Sequence, residues 1–295
     1  MPTKFSPWVP AALMVSSALM GTLEAVFLRL LGDQASQAQV LLFRSGMQLL
    51  LVAGVAGPMA GGMRAVLKTQ RLRKHLLRGA LASVSWWCYF MGLKTLPLAL
   101  ATTLTFSSQL FVLVLVWPML RERVTRAQLA STLVGFLGVL IAAGIWNPMT
   151  LDRHVFYGLA SALLGAVMIL ITRSLSFTER TETIMFYMAL VVFLSAIPQC
   201  LFDWVPLGVH SLILLALMAF CGTMGAWLMV EAYRRAEASA LAPYGYARLI
   251  CAAGLGYWRF ADAIAPSTLA GALLIVASNL ALMLFVARSR KGIQP

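Results

Sequence analysis

The sequence predicts an all-α membrane protein: ten transmembrane helices arranged as two inverted five-helix repeats, with both termini in the cytoplasm. Three observations carry this. The 295 residues are 61% hydrophobic and 11% charged, with mean hydropathy +0.85, whereas soluble domains are roughly 45–50% apolar and about 25% charged. The apolar residues fall into ten runs, each near the ~20 residues that a bilayer-spanning helix needs. Finally, a stretch of the first run returns in the sixth, 144 positions on. Ser17 to Arg29 reads Ser-Ala-Leu-Met-Gly-Thr-Leu-Glu-Ala-Val-Phe-Leu-Arg, and Ser161 to Arg173 reads Ser-Ala-Leu-Leu-Gly-Ala-Val-Met-Ile-Leu-Ile-Thr-Arg.

In chain order the runs lie at about 8–31, 37–58, 76–96, 98–119, 127–146, 155–175, 182–201, 209–233, 238–258 and 266–287. The first is too long for the roughly 7–15-residue core of a signal peptide, so it stays on as a helix. Lys94, Thr95 and Pro97 divide the third run from the fourth as a tight turn. Further on the recurrence has a spacing of 140: Trp87 returns as Trp227, Phe106 as Tyr246 and Glu122 as Asp262. A register held this far marks an internal duplication, with one copy over 1–150 and the other over 151–295. The copies differ at one telling place, because Glu24 in the first is Met168 in the second.

Orientation follows from the loops. Alternate loops carry seventeen basic residues on one side, among them Lys68, Arg71, Lys74, Arg123, Arg180 and Arg234, against four on the other, Arg29, Lys94, Arg153 and Arg259. The positive-inside rule then puts both termini in the cytoplasm. Five is odd, so a five-helix unit placed twice inserts in opposite orientations, the inverted duplication on which many secondary transporters are built. Alternating access around a midplane site is the expected mechanism.

Charge and cysteines exclude other classes. The net charge of +13 sits in short loops between apolar runs, and not on the solvated face or tail of a nucleic-acid binder. Cys88, Cys200, Cys221 and Cys251 fall within apolar runs without metal-ligand spacing, as buried apolar side chains do. His75, His154 and His210 form no ligand cluster, and no Gly-rich phosphate loop is present. No cofactor or metal is expected. An intramembrane lipid-acting enzyme is the rival class, and no His pairs with an acid or a nucleophile inside the runs to support it.

The stretch Leu96-Pro97-Leu98-Ala99-Leu100-Ala101-Thr102 through Glu122-Arg123-Val124-Thr125, with Gly135 and Gly138 beyond, resembles the EamA-like family of the drug/metabolite transporter superfamily. So does its counterpart from Ala236 to Pro243 through Asp262, with Gly271 in the following helix. The likeness covers nearly the whole chain and is nearest to the aromatic amino acid exporters of bacteria. Asp262 stands where the pattern has Glu. The resemblance implies ten helices, a bacterial inner membrane and export of small metabolites, with no enzymatic activity.

Candidate site residues come from what is out of place in hydrocarbon. Trp8, Trp117, Trp146, Trp204 and Trp258 lie at run ends, where tryptophan belongs. Trp86, Trp87 and Trp227 lie near mid-membrane, either packed against helices and lipid or walling an aromatic cavity. Thr102, Thr105 and Gln109 share a helical face with Phe106. That stripe either holds helices together or faces the cavity. Tyr246 takes the place of Phe106 in the ninth run, where Tyr244 and Arg248 are four apart and Pro243 frees a carbonyl. Three charges lie inside runs, Glu24, Arg44 and Arg248, each costing about 2.5–3.5 kcal/mol at a helix centre on insertion scales. Glu24 and Arg44 flank the first outer turn at equal distance and are expected to pair. Glu231 lies three and four residues before Arg234 and Arg235, the spacing of a helix-end ion pair.

Together these readings point to an exporter of aromatic and other apolar amino acids acting on a small-molecule substrate within the lipid bilayer, with a monomer plausible and the oligomeric state left open. The pairing of Glu24 with Arg44 argues for an uncoupled facilitator. A proton-coupled exporter of aromatic cationic drugs is the alternative.

Overall fold

Every element of the computed structural model is helical; it describes residues 8–59, 61–93, 104, 106–143, 153–248, 250–251, 254–255 and 266–291. In chain order the principal helices are α1 (Trp8–Leu31), α2 (Gln37–Leu51), α3 (Leu72–Leu93), α4 (Ser108–Leu120), α5 (Arg126–Ala143), α6 (Arg153–Ser176), α7 (Thr181–Phe202), α8 (Val209–Arg235), the short α9 (Ala238–Leu241) and α10 (Pro266–Lys291). Helix dominates because hydrocarbon offers no partner to a free backbone N–H or C=O, so each segment satisfies its own. Among the described residues four helices, Trp8–Gln34, Phe156–Ser176, Thr181–Phe202 and Val209–Arg235, are long and apolar enough to cross a bilayer.

Helix ends follow local chemistry. Ser36 opens α2 with a capping box, its hydroxyl accepting from Gln39 N while the Gln39 side chain accepts from Ser36 N. Gln39 also donates to the Val205 carbonyl at 2.7 Å, tying the α1–α2 turn to the α7–α8 loop. Thr125 and Gln128 form the same reciprocal pair before α5. Arg121 closes α4 in the left-handed region at φ 56°.

The expected ninth run differs. Its α-helix stops at Leu241 and Ala242–Tyr246 continues as a 3-10 helix. Pro243 has no N–H to donate and clashes with the preceding turn, which a regular helix cannot absorb. The second run, expected as continuous to 58, likewise loosens into a π-helical turn at Val52–Ala56.

Packing is almost wholly between the two halves of the chain. The principal pairs are α1 with α8, α3 with α6, α2 with α7, α2 with α8, α3 with α7, α4 with α6, and α5 with α10. Moving each number by five turns α1–α8 into α6–α3 and α2–α8 into α7–α3, while α2–α7 and α5–α10 return themselves. Hydrogen bonds repeat the pattern: Ser17 Oγ donates to the Gly225 carbonyl at 2.7 Å, and Ser161 Oγ to the Ser85 carbonyl at 2.9 Å.

At the α5–α10 crossing, a Cβ on Gly138 would stand 2.8 Å from the Gly271 carbonyl oxygen and 2.8 Å from Ile275. Small residues allow such close approach, the means by which helices associate in lipid. Gly138→Val should therefore cost about 1–3 kcal/mol through overpacking and lower the unfolding temperature in detergent. Gly165, where an added Cβ meets nothing within 4 Å, is the control, and Gly165→Ala should hold or raise that temperature.

Candidate functional site

Glu24 on α1 and Arg44 on α2 meet as their equal distance from the first turn requires. Arg44 Nε donates to Glu24 Oε1, and each side chain keeps 13% exposure. Arg44 rests over the Trp86 ring, its Cζ 5.3 Å from the centroid, a cation–π contact that favours a charged guanidinium. Behind the pair lies Gly222 of α8, where any Cβ would overlap the Glu24 carboxylate. Glycine is thus what lets α8 close over the two charges.

Arg248 follows the 3-10 turn and reaches the same helix. It is exposed; its Nη2 donates to the Gly21 carbonyl at 3.3 Å, while Thr22 Oγ1 donates to the Arg248 carbonyl at 3.4 Å. Gly21 is one helical turn before Glu24, so the guanidinium stands a turn from the acid along α1. Tyr89 lies one turn after Trp86 and stands edge-on to it at 6.3 Å. Glu24, Arg44, Trp86, Tyr89 and Arg248 therefore gather where α1, α2, α3 and the α9 extension meet. Tyr89 was not singled out from sequence, although its spacing from Trp86 on one helix was a signal.

The other sequence candidates fall elsewhere. Trp87 is 45% exposed, on a stripe with Leu76, Leu77 and Val84, and stands edge-on to Tyr157 at 5.9 Å. Trp227 packs with Val52, Val66, Met185 and Phe186. Phe106 and Tyr246, 140 positions apart, have ring centroids 5.9 Å from each other among Phe136, Val139 and Ile275. Tyr244 is buried with Val112, Leu113 and Leu241. Gln109 lies against Gly245; its Oε1 and the Tyr246 hydroxyl are buried without a partner among the described residues. Thr102 and Thr105 lie outside the described residues, as do Trp146, Trp258 and Asp262.

Two polar networks at the basic helix ends escaped sequence reasoning. Arg173, at the end of α6, donates through Nε to Glu122 Oε1 at 3.0 Å, with both side chains under 10% exposed. It also donates to the Tyr233 carbonyl and covers the Phe177 ring at 4.2 Å. The second oxygen of Glu122 accepts from Ala238 N at 3.1 Å, so one carboxylate pairs a cation and caps α9. Burial and the Glu122 charge push the neighbouring Glu237 carboxyl above its ordinary range, against the pull of Arg173. In the second network Arg78, 1% exposed, donates to Thr172 Oγ1 at 2.7 Å and to the Ile184 carbonyl at 3.0 Å. Glu231 pairs with Arg235 and Arg234 as its spacing predicts, and also accepts from Thr181.

Breaking a buried ion pair strands a charge and costs about 3–5 kcal/mol, whereas an exposed pair is worth about 0–1 kcal/mol. Arg173→Met should accordingly lower the unfolding temperature in detergent sharply. Arg234→Ala, at a side chain 37% exposed, should barely move it.

Residues 8–144 match the model of the EamA-like transporter family. The chain is 30% identical to an S-adenosylmethionine uptake transporter of Rickettsia bellii over 72% of this chain and 73% of that one. It is 29% identical to a pseudopaline exporter of Pseudomonas aeruginosa over 86% and 87%. A crystal structure shares the fold with a TM-score of 0.76 and 20% identity, covering 96% of this chain and 99% of the other. The chain is a membrane protein and belongs to the EamA-like transporter family of the drug/metabolite transporter superfamily.

Proposed function

We propose that this small-solute transporter exports aromatic and other apolar amino acids across the bacterial cytoplasmic membrane, as an uncoupled facilitator working by alternating access. The observation that carries the reading is the grouping of Glu24, Arg44 and Arg248 with Trp86 and Tyr89, charges of both signs beside aromatic rings. Intramembrane charges mark substrate or ion pathways, and a solute with a carboxylate, an ammonium and an apolar body matches this set. Trp86, Tyr89 and Arg248 then contact substrate. Phe106, Gln109, Tyr244 and Tyr246 support the loosened ninth segment behind it, with Thr102 on the same fourth run. The exposed stripe on which Trp87 lies favours a lipid-facing role for it, and the packing of Trp227 a structural one.

The architecture proposed with this is ten spans in two inverted repeats, 1–150 and 151–295, with cytoplasmic termini. Support comes from the shift-by-five pairing of helices and the matched Ser17 and Ser161 hydrogen bonds. Glu24 tied to Arg44 acts as a fixed charge and not as a proton carrier, which favours the facilitator over a proton-coupled exporter of cationic drugs. S-adenosylmethionine, the solute in the name of one relative, joins an amino acid head to an aromatic purine and belongs in the same test. That relative is named for uptake and the pseudopaline relative for export, so direction is read from vesicles of known orientation.

Purified protein in proteoliposomes should exchange labelled phenylalanine for unlabelled phenylalanine, tryptophan or leucine, and exchange aspartate poorly. Accumulation above equilibrium driven by a pH gradient would overturn the facilitator reading, and exchange of none of these amino acids would overturn the substrate class. Arg248→Ala should reduce exchange of amino acids about tenfold more than exchange of their decarboxylated amines, the order of one hydrogen bond to a charged group. Equal loss for both would assign Arg248 to the backbone of α1 alone.

A further inference from the structure

The duplication maps the charged pair onto an apolar one. Glu24 corresponds to Met168 and Arg44 to Met188 at the spacing of 144, while Gly222, which closes over the pair, corresponds to Ala82 at 140. Met188 and Ala82 lie in one buried cluster against which Met168 packs. Trp86 packs against the same cluster and carries Arg44 over its ring. A single indole thus separates a polar site on α1 and α2 from an apolar site on α6 and α7, at places the chain's internal symmetry makes equivalent.

The polar site also has unused valence. Arg44 spends Nε on Glu24 Oε1, and among the described residues no group takes its two terminal amino groups or the second oxygen of Glu24. Both side chains keep 13% exposure, which leaves the pair open to a ligand. A guanidinium offers a planar fork to a carboxylate, and a carboxylate oxygen accepts from an ammonium.

We propose that Glu24 and Arg44 form the receptor for the α-amino acid head of the substrate, and that Met168 and Met188 receive its side chain across Trp86. This rests on the amino acid reading above and deepens it. The substrate carboxylate accepts from the terminal amino groups of Arg44, with Arg248 a turn away on the same side, and the ammonium donates to the free oxygen of Glu24. The ion pair stays formed, so no lone charge is left in hydrocarbon. Methionine thioethers are flexible and polarisable and adapt to differing apolar and aromatic tails, which makes the second half the selector of side chain and the first half the selector of head group.

The test is counterflow in proteoliposomes with phenylalanine, leucine, phenethylamine, which lacks the carboxylate, and 3-phenylpropionate, which lacks the ammonium. The wild-type protein should exchange phenylalanine at least about tenfold better than either analogue, the factor of a hydrogen bond to a charged group. Glu24→Gln should bring phenylalanine down to the level of 3-phenylpropionate while leaving the latter unchanged. Met168→Ala should shift the phenylalanine-to-leucine ratio by roughly tenfold, the order of lost apolar contacts in a binding site, with head-group discrimination intact. A Glu24→Gln protein that still prefers phenylalanine over 3-phenylpropionate tenfold would overturn the proposal, as would an unchanged side-chain ratio in Met168→Ala. The methionine variant truncates a half-buried apolar side chain, so it carries the test even if the glutamate variant does not fold. Failure of the wild type to exchange any amino acid is a separate result that removes the substrate class itself, and this inference with it.

Discussion

A carboxylate and a guanidinium inside hydrocarbon must find each other, and the Glu24–Arg44 pair is the interaction on which the rest of this structure depends. Either charge alone would be costly in the bilayer, so α1 and α2 are held at matched depth by the capped turn between them, and α8 must present glycine at 222 to close over the result. The pair in turn fixes Trp86 as its aromatic floor. Backbone satisfaction explains why the elements are helices, and the pairing of Glu24 with Arg44 explains why α1, α2 and α8 meet at this depth.

The same logic distinguishes the two halves of the chain. Arg78 and His75 are buried at the basic ends of the helices, where Arg78 is held by Thr172 and the Ile184 carbonyl. Their counterparts at a spacing of 140 are Met218 and Leu215, which lie in an apolar cluster with Leu31 and Val40. Where Arg78 is fastened by hydrogen bonds, the positions 140 residues on are fastened by apolar contact.

Much of this was legible in the sequence, for reasons that can be named. Helix positions followed from apolar runs because in a bilayer length and composition suffice. The pairing of Glu24 with Arg44 followed from equal distance to a turn. The fate of the ninth run was signalled by Pro243 but not its extent, since a 3-10 continuation depends on neighbours as well as on the proline. Mid-membrane depth and the recurrence as Trp227 single out Trp87 in the sequence, yet neighbours on a helix point about 100° apart, and Trp86 reaches the charge pair while Trp87 lies on an exposed stripe. The Arg173–Glu122 network was hidden because its members are 51 positions apart and both sit at run ends, where charges draw no attention. The correspondence of Arg44 with Met188 was open to reading, but it gained meaning only when Trp86 was found between the two sites.

The proposed alternating access requires the two halves to rock about the shared site, which would part the α4–α5 loop carrying Glu122 from the end of α6 carrying Arg173. The most direct measurement is a pulsed electron-spin distance between labels at Arg123→Cys and Thr178→Cys, on loops joined by the Arg173–Glu122 pair, in a background without native cysteines and reconstituted in lipid. The account predicts one short distance without solute and a second, longer population when transported solute is present on both sides of the membrane. One unchanged distance during active exchange would contradict it.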